Sequence, residues 1–164
     1  MGTGVEFMSD RTLRGKVAIV GIGESPYYKH GQSPDAEFKL VLEAILAAAA
    51  DAGIDPDDID SFFSFSDDHA EPSRLAAALG CKELRCSNLQ WGGRGGGASA
   101  AIGNAAAAVA TGMADIAVVY RGIAQGQYQR FSKSAPEGKV SGDVALSAPY
   151  GIPAFRLARH AFPA

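Results

Sequence analysis

The chain of 164 residues contains only two cysteines, Cys81 and Cys86, and neither belongs to a pattern of known chemistry. They form no Cys-x-x-Cys pair, and two cysteines are too few for the disulfide framework of a small secreted domain. We therefore expect reduced, buried thiols. The three histidines, His30, His69 and His160, share no spacing with each other or with the cysteines. No metal site or catalytic triad is predicted from them.

The sequence also lacks a basic surplus and a long, strongly apolar run. Its net charge is -3, and lysine and arginine are nowhere clustered, which argues against a surface that binds nucleic acid. No basic segment followed by an apolar one opens the chain, so a secretory signal is not expected and the cytoplasm is the predicted compartment. The run 98–120 is mostly alanine and glycine and is broken by Asn104 and Asp115, so no membrane span is predicted.

Apolar periodicity predicts strands alternating with helices. Strand patterns occupy residues 16–23, 61–66, 83–91 and 114–122. The first helix is expected to begin after an N-capping Ser33 and to end at Gly53, and a shorter one to run from a capping Ser73 to Gly80. An alanine-rich helix follows the glycine cluster at 92–97, and another begins after Pro153. This order predicts an α/β protein with short crossovers.

Composition divides the chain further. Residues 1–15 have no periodicity and are predicted to be a disordered leader, and residues 16–164 form one domain. Within it, residues 123–152 are rich in Gly, Ser, Gln and Lys, which predicts a loop excursion of the kind that often carries binding residues. The chain stops just as a new amphipathic helix begins, so we expect a truncated chain or a fragment of a longer protein.

The glycine cluster "GGRGGG" stands between a predicted strand and a predicted helix. Gly93, Gly95 and Ala98 match the G-x-G-x-x-A pattern of dinucleotide-binding folds. In those folds, however, the motif follows the first strand, whereas here it follows the third, and the Gly-Lys-Ser/Thr of a P-loop is missing. Nucleotide binding is the weaker alternative. The two stronger ones are backbone N–H groups directed into a site and a turn that only lets two backbones pack closely.

The helix after the cluster carries almost no large side chain, with only Ile102 and Val109 adding bulk. A helix that is small and apolar all round is expected to be buried on every side. One small sheet cannot cover two faces of it. The second covering layer is therefore expected from missing chain or from another subunit.

These residues resemble the thiolase superfamily. In its N-terminal half, a strand leads to a Cys-x-x-Gly elbow, a buried alanine-rich helix ending in G-x-A-D, and a strand ending in glycine. "GASAAIGNAAAAVATGMADIAVVYRG", residues 97–122, matches the part after the nucleophile, while "KVAIVGIGESPY" and "AAADAGIDPDDIDSFF" match the first strand and the first helix with its turn. The resemblance extends from Lys16 to about His160. It implies the N-terminal half of a layered α/β fold, a central sheet with the alanine-rich helix buried against it.

The sequence departs from the family at the nucleophile. The family's usual spacing puts the cysteine at Arg94, with Gly95, Gly96 and Gly97 in the elbow, and no cysteine stands there. Cys86 lies eight residues too early and inside a predicted strand. An acyltransferase with a relocated nucleophile is therefore retained only as an alternative.

The branch that the sequence most resembles is that of the sterol-carrier and lipid-transfer proteins, in which "YRG" at 120–122 and "PYG" at 149–151 are familiar. Some members are aldolases of steroid side-chain breakdown that cut a C–C bond of a β-hydroxyacyl-CoA, use tyrosines rather than cysteine and work with a small OB-fold partner. The resemblance implies a coenzyme A thioester as substrate, with no covalently bound cofactor. A retro-aldol cleavage needs a base and enolate stabilisation but no thiolate. A non-catalytic acyl-CoA-binding or assembly module is the alternative.

Candidate site residues are few, and the catalytic base is not among them. Tyr120 and Arg121 end a strand near the elbow, where open α/β sheets bind ligands. Core packing for Tyr120 and a salt bridge for Arg121 are nevertheless the favoured roles. Arg94 is expected either to bind an anion or, as the favoured role, to form a structural ion pair. Arg130 and Lys133, in the loop, are candidates for the CoA phosphates or for a solvated surface. A homodimer is expected because the strand at 83–89 matches the one that pairs across the thiolase dimer.

Overall fold

The computed structural model of the protein describes residues 13–66, 68–90 and 94–124. The predicted leader lies almost entirely outside this part, and so do the body of the loop excursion and the helix after Pro153. Three α-helices, one short 3-10 turn and three strands are described: α1 Glu37–Ala52, the turn Pro56–Asp58, β1 Ser61–Phe65, α2 Pro72–Leu79, β2 Cys86–Gln90, α3 Arg94–Ala110 and β3 Ala117–Val119. No helix in this part is long and apolar enough to cross a bilayer.

The three strands form one parallel sheet in the order β2-β1-β3, so β1 lies in the middle. Ser61 is paired with Cys86 on one side and with Ala117 on the other. A parallel sheet built through helical crossovers confirms the predicted α/β class. It also brings the carboxyl ends of all three strands to one edge.

Strand β1 supplies the centre of the core. Because successive side chains of a strand point to opposite faces, Phe62 and Phe63 serve two different clusters. Phe62 packs with residues of α1 and α2, among them Ile45 and Leu75, and with Tyr120. Phe63 packs with Ala105, Ala108 and Ala114, which belong to α3 and the turn after it. Helices α1 and α2 therefore cover one face of the sheet, and α3 covers the other.

Both predicted N-caps are wrong, whereas both predicted helix ends are confirmed. Helix α1 begins at Glu37 with Ala36 as its N-cap, because Ser33 instead exchanges local hydrogen bonds with the backbone of Asp35. Helix α2 begins at Pro72, whose fixed φ and missing N–H suit a first helical position, and Ser73 lies inside the helix. Gly53 and Gly80 end the two helices in the left-handed conformation, with φ of 67° and 73°.

The strand predicted at residues 16–23 is not formed. Residues 17–23 have no regular secondary structure, no described strand pairs with them, and their side chains are largely exposed, reaching 76% for Ile19 and 82% for Ile22. The segment rests on α1 through Gly23, where a Cβ atom would lie 2.3 Å from the carbonyl oxygen of Ala44. The backbone N–H of Ile22 donates to Oδ2 of Asp51 at 2.9 Å. Helix packing and one side-chain acceptor hold this segment instead of a strand ladder.

Helix α3 differs from its prediction in two ways. It begins at Arg94, so the second half of the glycine cluster forms the first helical turn and does not precede the helix. It is also buried on one face only: Ala101 is fully buried, but Ile102 is 44% exposed and no atom lies within 4 Å of a Cβ placed at Gly103. The described residues supply one sheet, which covers one side. A second layer stays a prediction.

At the amino edge of the sheet, Arg85 connects the segments that precede β1 and β3. Its Nη1 lies 2.6 Å from Oδ2 of Asp115 and 3.3 Å from Oδ2 of the buried Asp60, while Nη2 donates to the Gly112 carbonyl at 2.9 Å. The Asp115 carboxylate raises the pKa of Arg85 above its ordinary value. This network fixes the loop between α3 and β3 at the edge opposite the one where α3 begins.

Candidate active site

The carboxyl ends of the three parallel strands define the candidate site. Strand β1 ends at Phe65, β2 at Gln90 and β3 at Val119, and α3 starts at Arg94, four residues after β2. In open α/β sheets, ligands bind outside this edge. We call residues 94–97, the first turn of α3, the glycine turn.

The glycine turn combines the backbone N–H donors of a helix start with close packing. The first four N–H groups of an α-helix have no partner within the helix and carry partial positive charge. Gly97 is buried, and a Cβ atom there would lie 2.5 Å from Cδ2 of Phe65, so only glycine fits. Gly96 has nothing within 4 Å of its Cβ position. Close packing thus holds at Gly97, and the use of the N–H groups as donors stays a prediction.

The side chain of Arg94 lies outside the described part of the molecule. Its backbone is the first residue of α3, which agrees with an elbow position at the start of this helix. Its predicted alternatives, anion binding and a structural ion pair, stay predictions.

Tyr120 is directed into the core. Its side chain is 8% exposed, its hydroxyl donates to the carbonyl of Ala70, and its ring meets Phe62 edge to face at a centroid distance of 6.4 Å. These contacts join the end of β3 to the segment before α2. They support the packing alternative for Tyr120.

Arg121 lies directly at the carboxyl edge. Its Nη1 donates to the carbonyl oxygen of Phe65 at 2.7 Å, and the guanidinium carbon lies 5.1 Å from the centre of the Phe65 ring. The same Nη1 is 3.6 Å from Oδ2 of Asp68, and the side chain of Arg121 is 13% exposed. Its Nε is buried and has no acceptor among the described residues. The ion-pair alternative for Arg121 is therefore supported. The Arg121–Asp68 pair is also hydrogen-bonded to the end of β1 through the Phe65 carbonyl.

Asp68, which sequence reasoning missed, organises this edge. Its side chain is 1% exposed, and its Oδ2 accepts from the Ser64 hydroxyl at 2.8 Å and from the Gly122 N–H at 2.9 Å. Oδ1 accepts from the Ala70 N–H at 2.9 Å. The signal was present, because "DDH" follows a predicted buried strand directly, where functional and positioning residues collect.

Glu37 and His69 form a second polar pair near this edge. Glu37 is 4% exposed although it opens α1, and its Oε1 lies 3.1 Å from Nδ1 of His69. Its other oxygen accepts from the N–H of Ala124. The acid was recognisable as a first-turn residue that favours the helix start, but its burial against the chain after β3 was not.

A cavity of about 380 Å³ opens beside these residues. It is bounded by the extended segment at residues 21–25, one face of α1, Phe65 and residues 118–123. Phe65 and Arg121 therefore belong to the cavity wall and to the edge near the glycine turn at once.

The cysteines lie elsewhere. Cys86 opens β2, whereas the glycine turn follows the far end of that strand, about 13 Å away at the usual rise per residue. The Sγ of Cys81 lies 3.6 Å from the Pro56 carbonyl oxygen, and burial raises the pKa of this thiol. Neither position provides the electropositive helix start that activates a thiol.

Four residues considered in the sequence remain, and the structure describes one of them. Arg130, Lys133 and His160 lie outside the described residues, so the predicted CoA-phosphate contacts remain predictions. His30 is exposed in a turn before α1. Within residues 13–66, 68–90 and 94–124, no group of three His, Cys, Asp or Glu side chains is placed to hold a metal ion.

Comparison with characterised proteins agrees with the resemblance described above. No known family profile matches the chain. It is 40% identical over 148 residues to the 17-hydroxy-3-oxo-4-pregnene-20-carboxyl-CoA lyase of Mycobacterium tuberculosis, a match of 85% of this chain and 37% of that protein. This chain is a homologue of the steroid side-chain-cleaving aldolases. It is also 35% identical over 146 residues to the steroid side-chain-cleaving aldolase of Thermomonospora curvata, covering 85% of this chain and 36% of that one.

A solved structure supports the same assignment. An Ltp2–ChsH2 aldolase superposes with a TM-score of 0.63 at 34% identity, over 86% of this chain and 35% of that one. The predicted resemblance to steroid side-chain aldolases is thereby confirmed. The chain spans little more than a third of the length of the curated relatives that it matches.

Proposed function

We propose that the whole protein cleaves a C–C bond of a β-hydroxyacyl-CoA by a retro-aldol reaction, in steroid or lipid side-chain degradation. The observation that carries this proposal is the homology to two aldolases or lyases of steroid side chains over 85% of the chain. A glycine turn without the cysteine of ordinary thiolases is chemically consistent with it, because the reaction needs no thiolate.

The reaction places defined demands on the site. A base takes the proton of the β-hydroxyl group, the C–O bond becomes a carbonyl, and the bond between the α- and β-carbons breaks. Its electron pair passes to the α-carbon and is shared with the thioester oxygen as an enolate. Protonation of the α-carbon then gives a shortened acyl-CoA beside the released ketone. In this proposal the N–H groups at Gly95, Gly96 and Gly97 stabilise the enolate oxygen.

The test is turnover of a β-hydroxyacyl-CoA by the full-length protein together with its partner, followed by mass spectrometry of both products. We expect equimolar ketone and shortened acyl-CoA, without any requirement for free coenzyme A. The double variant Cys81→Ser/Cys86→Ser is the control, and it should retain cleavage. Thiolysis that needs free coenzyme A and disappears in the double variant would instead identify an acyltransferase with a relocated nucleophile.

A non-catalytic acyl-CoA-binding or assembly module is the second candidate. It is favoured by one observation, namely that arginine occupies residue 94, where the resemblance places the nucleophilic cysteine. Calorimetric titration of the full-length protein with acyl-CoA distinguishes the two. Binding without any product over long incubation would favour the module.

The proposal includes a cytoplasmic protein that works with two kinds of partner. One is a small OB-fold protein, in agreement with the two-component name of the structural relative. The other is a second copy of the chain, paired along β2, which lies at the sheet edge with Leu89 43% exposed. Sedimentation of the full-length protein should show a dimer, which Leu89→Lys should weaken. A monomer at micromolar concentration would contradict the pairing.

A further inference from the structure

The side chain of Phe65 makes a contact that limits what can stand in the glycine turn. A Cβ atom at Gly97 would lie 2.5 Å from Cδ2, 3.0 Å from Cγ and 3.1 Å from Cβ of Phe65. Two of these atoms, Cβ and Cγ, stand next to the β1 backbone and move little when the ring rotates. Since β1 is the central strand, the end of β1 sets how closely the first turn of α3 approaches the sheet.

Phe65 is in turn held by Arg121. The guanidinium group donates to the Phe65 carbonyl at 2.7 Å and stands 5.1 Å from the ring centre, so it contacts both the backbone and the side chain of the same residue. Arg121 is itself held near Asp68, which is almost completely buried. A planar guanidinium can hydrogen-bond and stack at once, which a lysine ammonium cannot do.

We propose that Arg121 is a positioning residue that acts through Phe65 to fix the glycine turn. In this arrangement Arg121 orients Phe65, and Phe65 determines where the N–H groups of residues 95–97 stand. The inference rests on the proposed function, because those N–H groups matter for rate only if they meet a developing negative charge. An error of about 1 Å in such donors is enough to lower a rate about a hundredfold.

The first experiment is a double-mutant cycle in the full-length protein with its partner. Gly97→Ala introduces the forbidden Cβ atom and should lower kcat by about tenfold or more. Phe65→Ala removes Cγ and Cδ2 and leaves only the Cβ atom of residue 65 near the new atom, so in that background the same change should lower kcat by about threefold at most. Phe63→Ala is the matched control. It lies on the same strand and packs under α3 against Ala105 and Ala108, and it should leave the effect of Gly97→Ala unchanged.

The second experiment replaces Arg121 by Lys and by Met. If Arg121 positions the turn, both variants should lower kcat by about tenfold while KM stays within about twofold, because an interaction realised only in the transition state is lost. The decrease should be smaller when Phe65 is already alanine. Equal decreases in both backgrounds would overturn the inference, and so would a rise in KM alone.

Melting temperatures of the same variants separate this inference from the proposed function. The clash between Gly97→Ala and Phe65 predicts a non-additive cycle in melting temperature whatever reaction the protein catalyses. If no cleavage is found and the cycle is non-additive, the proposed reaction fails while the packing through Phe65 stands. Additive melting temperatures would show that Phe65 does not fix the turn, and would overturn the inference even in an active enzyme.

Discussion

Strand β1 and the segment at residues 17–23 are both apolar, yet only β1 is buried and paired with other strands among the described residues. Phe62 in β1 is fully buried, whereas Ile22 is 82% exposed. Strand β1 has a hydrogen-bonded strand on each side, and the segment has none among the described residues. Both lie against α1. An apolar run therefore becomes a strand only where a neighbouring backbone completes its hydrogen bonds, which apolarity by itself does not supply.

The largest expected effect is at the buried member of this comparison. Phe62→Ala should lower the free energy of unfolding of the chain by about 3–5 kcal/mol, because it leaves a cavity among α1, α2 and Tyr120. Ile22→Ala should change it by about 0.5 kcal/mol at most, as expected for an exposed side chain. Urea titration followed by circular dichroism measures both. Similar losses at the two positions would mean that residues 17–23 are covered in solution.

A smaller effect is expected where the unpaired segment touches α1. Gly23→Ala would bring a Cβ atom to 2.3 Å from the Ala44 carbonyl oxygen, so the segment must move away from the helix at a cost of about 1–2 kcal/mol. Gly103→Ala is the matched control. Residue 103 lies in α3, where an added Cβ atom would meet no neighbouring side chain or segment within 4 Å. The change should therefore stabilise the chain by about 0.5–1 kcal/mol through helix propensity.

Gly103→Ala also tests the predicted second layer on α3. In the full-length protein, a layer that covers the outer face of α3 should abolish the gain from Gly103→Ala or turn it into a loss. An equal gain in the short chain and the full-length protein would argue that this face stays uncovered. Thermal unfolding of both forms is the measurement.

The smallest effect concerns a thiol that packs against the Phe62 cluster. Burial raises the pKa of Cys81, so at a given pH it has less thiolate than an ordinary cysteine, whose pKa is about 8.5. In a Cys86→Ser variant, alkylation of Cys81 by iodoacetamide should therefore be slow near neutral pH, with a midpoint above that of a free thiol. In denaturant the midpoint should fall back to the ordinary value. A midpoint at or below that value in the folded chain would contradict the burial.

The sequence was sufficient for those parts of the fold that depend on local chemistry. The left-handed glycines at Gly53 and Gly80 end their helices as predicted, and the buried strand Ser61–Phe65 is where its pattern placed it. The predicted caps at Ser33 and Ser73 failed because a proline at the first helical position or a local turn can start a helix without a side-chain cap. Such alternatives have similar free energies, and pattern reasoning does not separate them.

The candidate site was less accessible from the sequence. The glycine turn and Arg121 could be named, because both follow strands whose carboxyl ends meet at one edge. Their relation through Phe65 could not, because residues 65, 97 and 121 are far apart in the sequence and meet only once β1 lies between β2 and β3. Asp68 was missed for the same reason, since its importance lies in contacts with Ser64 and Gly122.

The sequence by itself determined the α/β class, the ends of the helices, the empty nucleophile position and the resemblance to thiolase-like aldolases. Local conformational preferences and residue identities decide these features, and both are read directly from the chain. Only the tertiary structure decided that residues 17–23 pair with no strand of the described part, that the described residues cover one face of α3 and that Arg121 reaches the glycine turn through Phe65. Each of these depends on which surfaces meet, and that is fixed by packing between distant segments.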